Sequence, residues 1–162
     1  MINWLVLLSC LVGATHEASV REVNDDCQSY NPPKHGVLAC LSYAGTKMCQ
    51  VYCQAGFDFA YRPAQLYYCV NRQWNFWPPF GHGIRSAWPD CAPRVDPSSG
   101  HLKMSSSYYY SGNCHDPEVQ EVCKNSFQVI VSDPTSFPAT FCLLNSACRS
   151  ENVNIFCGES AP

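Results

Sequence analysis

The chain has 162 residues and a formal net charge of −3, its 10 Lys and Arg scattered singly among 13 Asp and Glu. That distribution lacks the basic footprint of a nucleic-acid binder, and no second apolar stretch beyond the N-terminal run approaches the roughly 20 residues of a membrane span. The 12 cysteines exceed ordinary usage and lack the paired Cys-x2-Cys spacing of structural zinc sites, so they read as disulfides of an oxidising compartment.

Trp4 to Val12 form a short apolar run followed by small residues, with Val12 and Ala14 suited to the minus-three and minus-one cleavage positions. Residues 1–14 therefore read as a secretory signal peptide that removes Cys10, with cleavage after Ala18 as the alternative. Residues 15–26, bearing Glu17, Glu22, Asp25 and Asp26, read as a polar leader. No Asn-x-Ser/Thr sequon occurs, so N-glycosylation is not expected.

Between Cys27 and Cys91, short strand signals alternate with turns: Gly36-Val37-Leu38-Ala39, Cys49 to Cys53, and Gln65 to Cys69. No segment here has a 3.6-residue apolar period. A unit of about 65 residues buries too little apolar surface to be secure without cross-links. Its order of signals is Cys27, Pro32-Pro33-x-x-Gly36, Cys53 with Gly56-Phe57, Cys69, Trp74 and Trp88-Pro-Asp-Cys91. This order resembles the sushi (complement control protein) module. The resemblance implies an all-β extracellular recognition module in which Cys27 bonds Cys69 and Cys53 bonds Cys91, each long loop restricting the unfolded chain by roughly 4 kcal/mol. It also implies that Trp74 is a buried structural tryptophan, with Phe57 and Leu66 at core positions.

The chain departs from the four-cysteine pattern in two places. Cys40 and Cys49 are additional, and a local bond between them across the Gly45 loop is the economical reading. Between Trp74 and Pro89 the sequence is longer than the family's, running Asn75-Phe-Trp-Pro-Pro-Phe-Gly-His-Gly-Ile-Arg-Ser-Ala. Phe76, Trp77, Phe80 and Arg85 on this insertion are of the types enriched at binding hot spots, which makes them interface candidates. The competing reading folds the insertion back on the linker.

A linker over residues 92–101, containing Pro-Ser-Ser-Gly, leads to a second cysteine-bearing unit at 102–162. Ser105 to Tyr110 is strand-like. Asp116-Pro117-Glu118 combines an N-cap, a proline at N1 and an acid in the first turn, and Val119, Val122, Cys123, Phe127 and Ile130 continue a helix to about Ser132. Asn152 to Cys157 alternates like a terminal strand. The whole reads as a small α+β disulfide module, giving a small disulfide-rich protein with an all-β first unit. The stretch from Tyr108 through Cys114 and Glu151 to Gly158 is also similar, on few fixed residues, to the region beside sushi modules in the sushi, von Willebrand factor type A, EGF and pentraxin mosaic proteins.

Cys114, Cys123, Cys142, Cys148 and Cys157 are odd in number, and the pairing within this unit stays open. Cys123, mid-helix, is the expected leftover, either a buried thiol behaving as a small apolar residue or the bond of a covalent homodimer. No catalytic constellation emerges: His35, His82, His101 and His115 are isolated, and a Cys123 nucleophile with His115 as base would share no helical face. The acidic residues form no calcium-binding array and no other metal or cofactor site. The expectation is a secreted, non-catalytic protein of an extracellular matrix, such as a mineralised or secreted covering, that contacts extracellular protein partners. A soluble factor, namely a complement-like regulator, an immune recognition protein or a venom component, is the alternative.

Overall fold

A computed structural model describes residues 27–43, 45–77, 88–94, 104–133, 135, 142 and 146–159. The stretches read as signal peptide and polar leader, residues 1–26, and most of the expected linker lie outside the described residues.

The centre is a long antiparallel hairpin of β1 (Gly36–Tyr43) and β2 (Thr46–Gln54), in register from Gly36 opposite Cys53 to Tyr43 opposite Thr46. Gly45, at φ 80°, supplies the left-handed position that the turn needs. Alternate side chains point to opposite faces, and both faces are covered. Val37, Ala39, Leu41, Met48 and Tyr52 belong to one core cluster, whereas Leu38, Cys40, Cys49, Val51 and Cys53 belong to another. This double burial explains why the hairpin's sequence reads as continuous apolar runs rather than as alternation.

The remaining strands are β3 (Phe57–Phe59), β4 (Leu66–Val70), β5 (Gln73–Trp77), β6 (Cys91–Pro93), β7 (Tyr109–Tyr110) and β8 (Asn154–Cys157). The main sheet runs β5-β4-β2-β1-β8, with β7 parallel to the end of β2, and β3 and β6 form a separate ribbon. Helix α1 (Pro117–Val131) places Cys123, Phe127 and Val131, spaced i, i+4 and i+8, in the core cluster with Val37 and Leu41. Asp116 precedes it with extended backbone, yet its side chain makes no capping hydrogen bond.

The described chain is thus small, mostly β, with one helix and five disulfides. The C-terminal segment shares a core cluster with the hairpin. β8 pairs with β1, with Leu38 opposite Phe156, and α1 covers one face of the hairpin. The reason is area: without β8 and α1, the Val37-Ala39-Leu41 face would lie in water. The linker's start is ordered too, since Ala92 and Pro93 belong to β6 and Arg94 bonds Asp58. The strand-like reading of Ser105 to Tyr110 becomes a 3-10 turn at Ser106–Tyr108 followed by β7.

Candidate binding surface

The surface is built outward from Trp88. This buried ring meets Tyr30, Tyr67 and Trp74 edge-on, with centroids 5.5, 5.8 and 5.4 Å away, the geometry favoured by aromatic quadrupoles. Trp88 Nε1 donates to the Asn31 carbonyl and Trp74 Nε1 to that of Gln28, both at 2.8 Å. Two indoles therefore clamp the arm of residues 27–33 against the sheet, and the Cys27–Cys69 bond anchors its beginning. Lys34 N–H donates to Asp90 Oδ1 at 2.9 Å, and Cys91 N–H donates back to the Lys34 carbonyl. Tyr67, whose hydroxyl accepts from Ala64 N–H, has its pKa raised by burial.

Two clefts flank this arm and share Tyr30, Pro32 and Trp88. The smaller, about 130 Å³, is walled by Leu38, Trp74 and Phe156 with Ser29 and Lys47 at its rim. Tyr30 and Phe156, 38% and 43% exposed, are the accessible large side chains of that wall. The larger, about 620 Å³, adds Asn31, Lys34, Ala60, Tyr61, Asp90 and the segment Cys157 to Glu159. The last segment reaches the cleft because Gly158 approaches Pro33 so closely that a Cβ there would lie 1.8 Å from the Pro33 carbonyl oxygen. No side chain fits that contact. His35 lies alongside at φ 53°, stacked on Phe57 at 4.4 Å, with its Nδ1 buried and without a hydrogen-bond partner.

The cysteines are placed as follows. Cys27 bonds Cys69, Cys53 bonds Cys91, and Cys40 bonds Cys49 directly across the hairpin. Cys114 bonds Cys157, tying the start of the helical segment to β8, and Cys142 bonds Cys148. Cys123 is a free thiol. At 1% exposure in the apolar cluster with Phe127, it sits as the buried small apolar residue of the two expected alternatives. Burial pushes its pKa up to about 12. The thiol is therefore fully protonated at neutral pH, the inert form rather than the nucleophilic one.

Phe76 and Trp77 do not sit on a loop. They lie in β5, opposite Tyr67 and Leu66, half-buried against the two core clusters. Ladder pairing with β4 claims the residues before Pro78, so these two rings stand on a strand with one side against the core. Phe80 and Arg85 lie outside the described residues. Trp74 is half-buried in the same strand, Leu66 is fully buried and Phe57 is half-buried.

A buried polar knot joins the ribbon to the C-terminal half. Asp58 accepts from Arg94 Nε at 3.1 Å and Nη2 at 3.3 Å, and from the Tyr109 hydroxyl at 3.0 Å. The carboxylate raises the pKa of the Arg94 guanidinium, chiefly through that hydrogen bond. Every member is satisfied, so the knot is structural. Among the described residues no group of His, Cys, Asp and Glu is arranged to hold a metal ion, and no helix is long and apolar enough to cross a membrane. No family model, no curated protein and no solved structure matches the chain.

Residues 29–32, Tyr61, Asp90 and 156–159 were not singled out as a site by the sequence. The signal available was local: Tyr30-Asn31-Pro32-Pro33 puts an aromatic and an amide beside a rigid turn. What brings them to Phe156 and Glu159 is strand pairing between distant segments.

Proposed function

We propose that the chain is a secreted, non-catalytic binding protein of an extracellular matrix, with residues 27–91 forming a sushi-like module, and that it works by protein contact through the Tyr30–Phe156 cleft. The observation that carries this is a small apolar cleft with two half-exposed aromatic rings set on a floor of Trp74 and Trp88, which pack edge-on and are each hydrogen-bonded through the indole N–H. Aromatic anchors on a preorganised surface are the usual source of interface binding energy. The first-to-third and second-to-fourth order of Cys27–Cys69 and Cys53–Cys91 supports the sushi-like reading. Five intramolecular disulfides suit the oxidising conditions outside the cell.

The test is retention on cell-deposited extracellular matrix after washing, comparing the purified protein with a Tyr30→Ser, Phe156→Ser double variant. The parent should be retained and the variant reduced about tenfold, corresponding to loss of one good anchor. Recovery of the parent in the fluid fraction would replace the matrix reading with that of a soluble secreted factor. Equal retention of parent and variant would remove the cleft from the interaction.

A further inference from the structure

The larger cleft has a chemistry different from its neighbour's. Several of its backbone groups are already engaged. Lys34 N–H bonds Asp90 and the Lys34 carbonyl takes Cys91 N–H. Asn31's carbonyl takes Trp88 Nε1, Glu159's takes His35 N–H, and Gly158 N–H bonds the Gly36 carbonyl. A peptide strand adds to an edge by main-chain pairing, which these particular groups do not offer. The groups left over are side chains. The Asn31 amide, the Lys34 ammonium and the Glu159 carboxylate have no partner among the described residues, and Asp90 keeps its second carboxylate oxygen. They surround the ring surfaces of Tyr30 and Tyr61.

We infer that this cleft binds a neutral saccharide unit of a polysaccharide or glycan. Aromatic rings take the C–H faces of a pyranose, while an amide, an ammonium and carboxylates at separate points around them match hydroxyls that both donate and accept. The volume of about 620 Å³ suits a short oligosaccharide rather than a single small metabolite. Two carboxylates against one ammonium disfavour sulfated or uronate-rich chains. A purely apolar ligand would strand the polar side chains without hydrogen bonds. This site adjoins the protein contact proposed for Phe156 and shares Tyr30 with it, whereas Phe156 lines the smaller cleft and not this one.

The experiment is saturation-transfer NMR titration of the oxidised protein with neutral hexasaccharides of β-linked glucose and of N-acetylglucosamine, with a heparin hexasaccharide as the anionic comparison. At least one neutral hexamer should bind and heparin should not. Tyr61→Ala and, separately, Glu159→Ala should each weaken binding about tenfold, and Tyr61→Phe should keep it. Glu159→Ala decides the matter if Tyr61→Ala lowers the melting temperature. Binding by neither neutral hexamer, preference for heparin, or affinity unchanged in a Glu159→Ala protein of parental melting temperature would overturn the inference. Phe156→Ser should leave saccharide binding intact, which separates this result from matrix retention.

Discussion

The two faces of the β1–β2 hairpin are buried by different means. On one face α1 supplies Phe127 and Val131 around a thiol that bonds nothing, and the two disulfides of that cluster, Cys114–Cys157 and Cys142–Cys148, tie the chain before and after the helix rather than the helix itself. On the other, the sulfurs of Cys40–Cys49 and Cys53–Cys91 sit among Phe59, Tyr67 and Trp88. That face relies on cross-links that act on the unfolded chain and on aromatic edges that hydrogen-bond at their polar ends. The difference teaches that high cysteine content does not weld this protein uniformly, because no disulfide joins α1 itself to the hairpin it covers.

Phe127→Ala strikes the packed face hardest. It opens a cavity under a helix whose one cysteine is free, and should cost about 3 to 5 kcal/mol in urea unfolding. If the loss is below about 1 kcal/mol, packing does not hold that face and the contrast collapses. On the other face, Cys40→Ala with Cys49→Ala removes a short loop and should cost about 2 to 3 kcal/mol. Circular dichroism should show the strands retained, because the hairpin stays paired over its full length.

A smaller effect tests polar groups inside the packed face. The Tyr52 hydroxyl donates to Gln50 Oε1, and the Gln50 Nε2 is buried without a partner. Burial raises the Tyr52 pKa. Tyr52→Phe alone should destabilise by about 1 kcal/mol, whereas adding Gln50→Leu should recover that loss, since removing both partners leaves nothing unsatisfied. The smallest effect at neutral pH concerns Cys123. Native protein should resist alkylation at about pH 8, and denatured protein should take up one equivalent. With its folded pKa at about 12 against an ordinary 9.0, the unfolded chain releases the proton first. The thiol's contribution is therefore fully present below pH 9 and is lost as pH rises toward 12. Cys123→Ala should flatten part of that alkaline decline; Tyr110, also pushed up to about 12 by burial, accounts for more of it.

Local signals were legible in the sequence and distant pairings were not. Asp116-Pro117-Glu118 and the spacing of Cys123 and Phe127 lead to a helix at Pro117–Val131, because helix starts and stripes are written within a few residues. The hairpin showed itself in two fragments, since its two buried faces erase the alternation that marks a half-exposed strand. Phe76 and Trp77 read as insertion residues because the stretch from Trp74 to Pro89 is longer than the family's, yet its beginning continues β5. That β8 belongs beside β1 has no local signature, and so the shared core and both clefts escaped the sequence.

The pairing of Leu38 with Phe156 also orders events in time. The strand that leaves the synthesis machinery among the first must wait for one of the last. Until Asn154–Cys157 arrives, the edge of β1 carries unpaired backbone groups, and the Gly158 contact with Pro33 that shapes the larger cleft has not formed. Non-local closure of this kind slows folding and leaves an open edge in the meantime. Chains halted short of β8 would therefore lack the larger cleft, and oxidation of Cys114 with Cys157 marks the moment at which the structure closes.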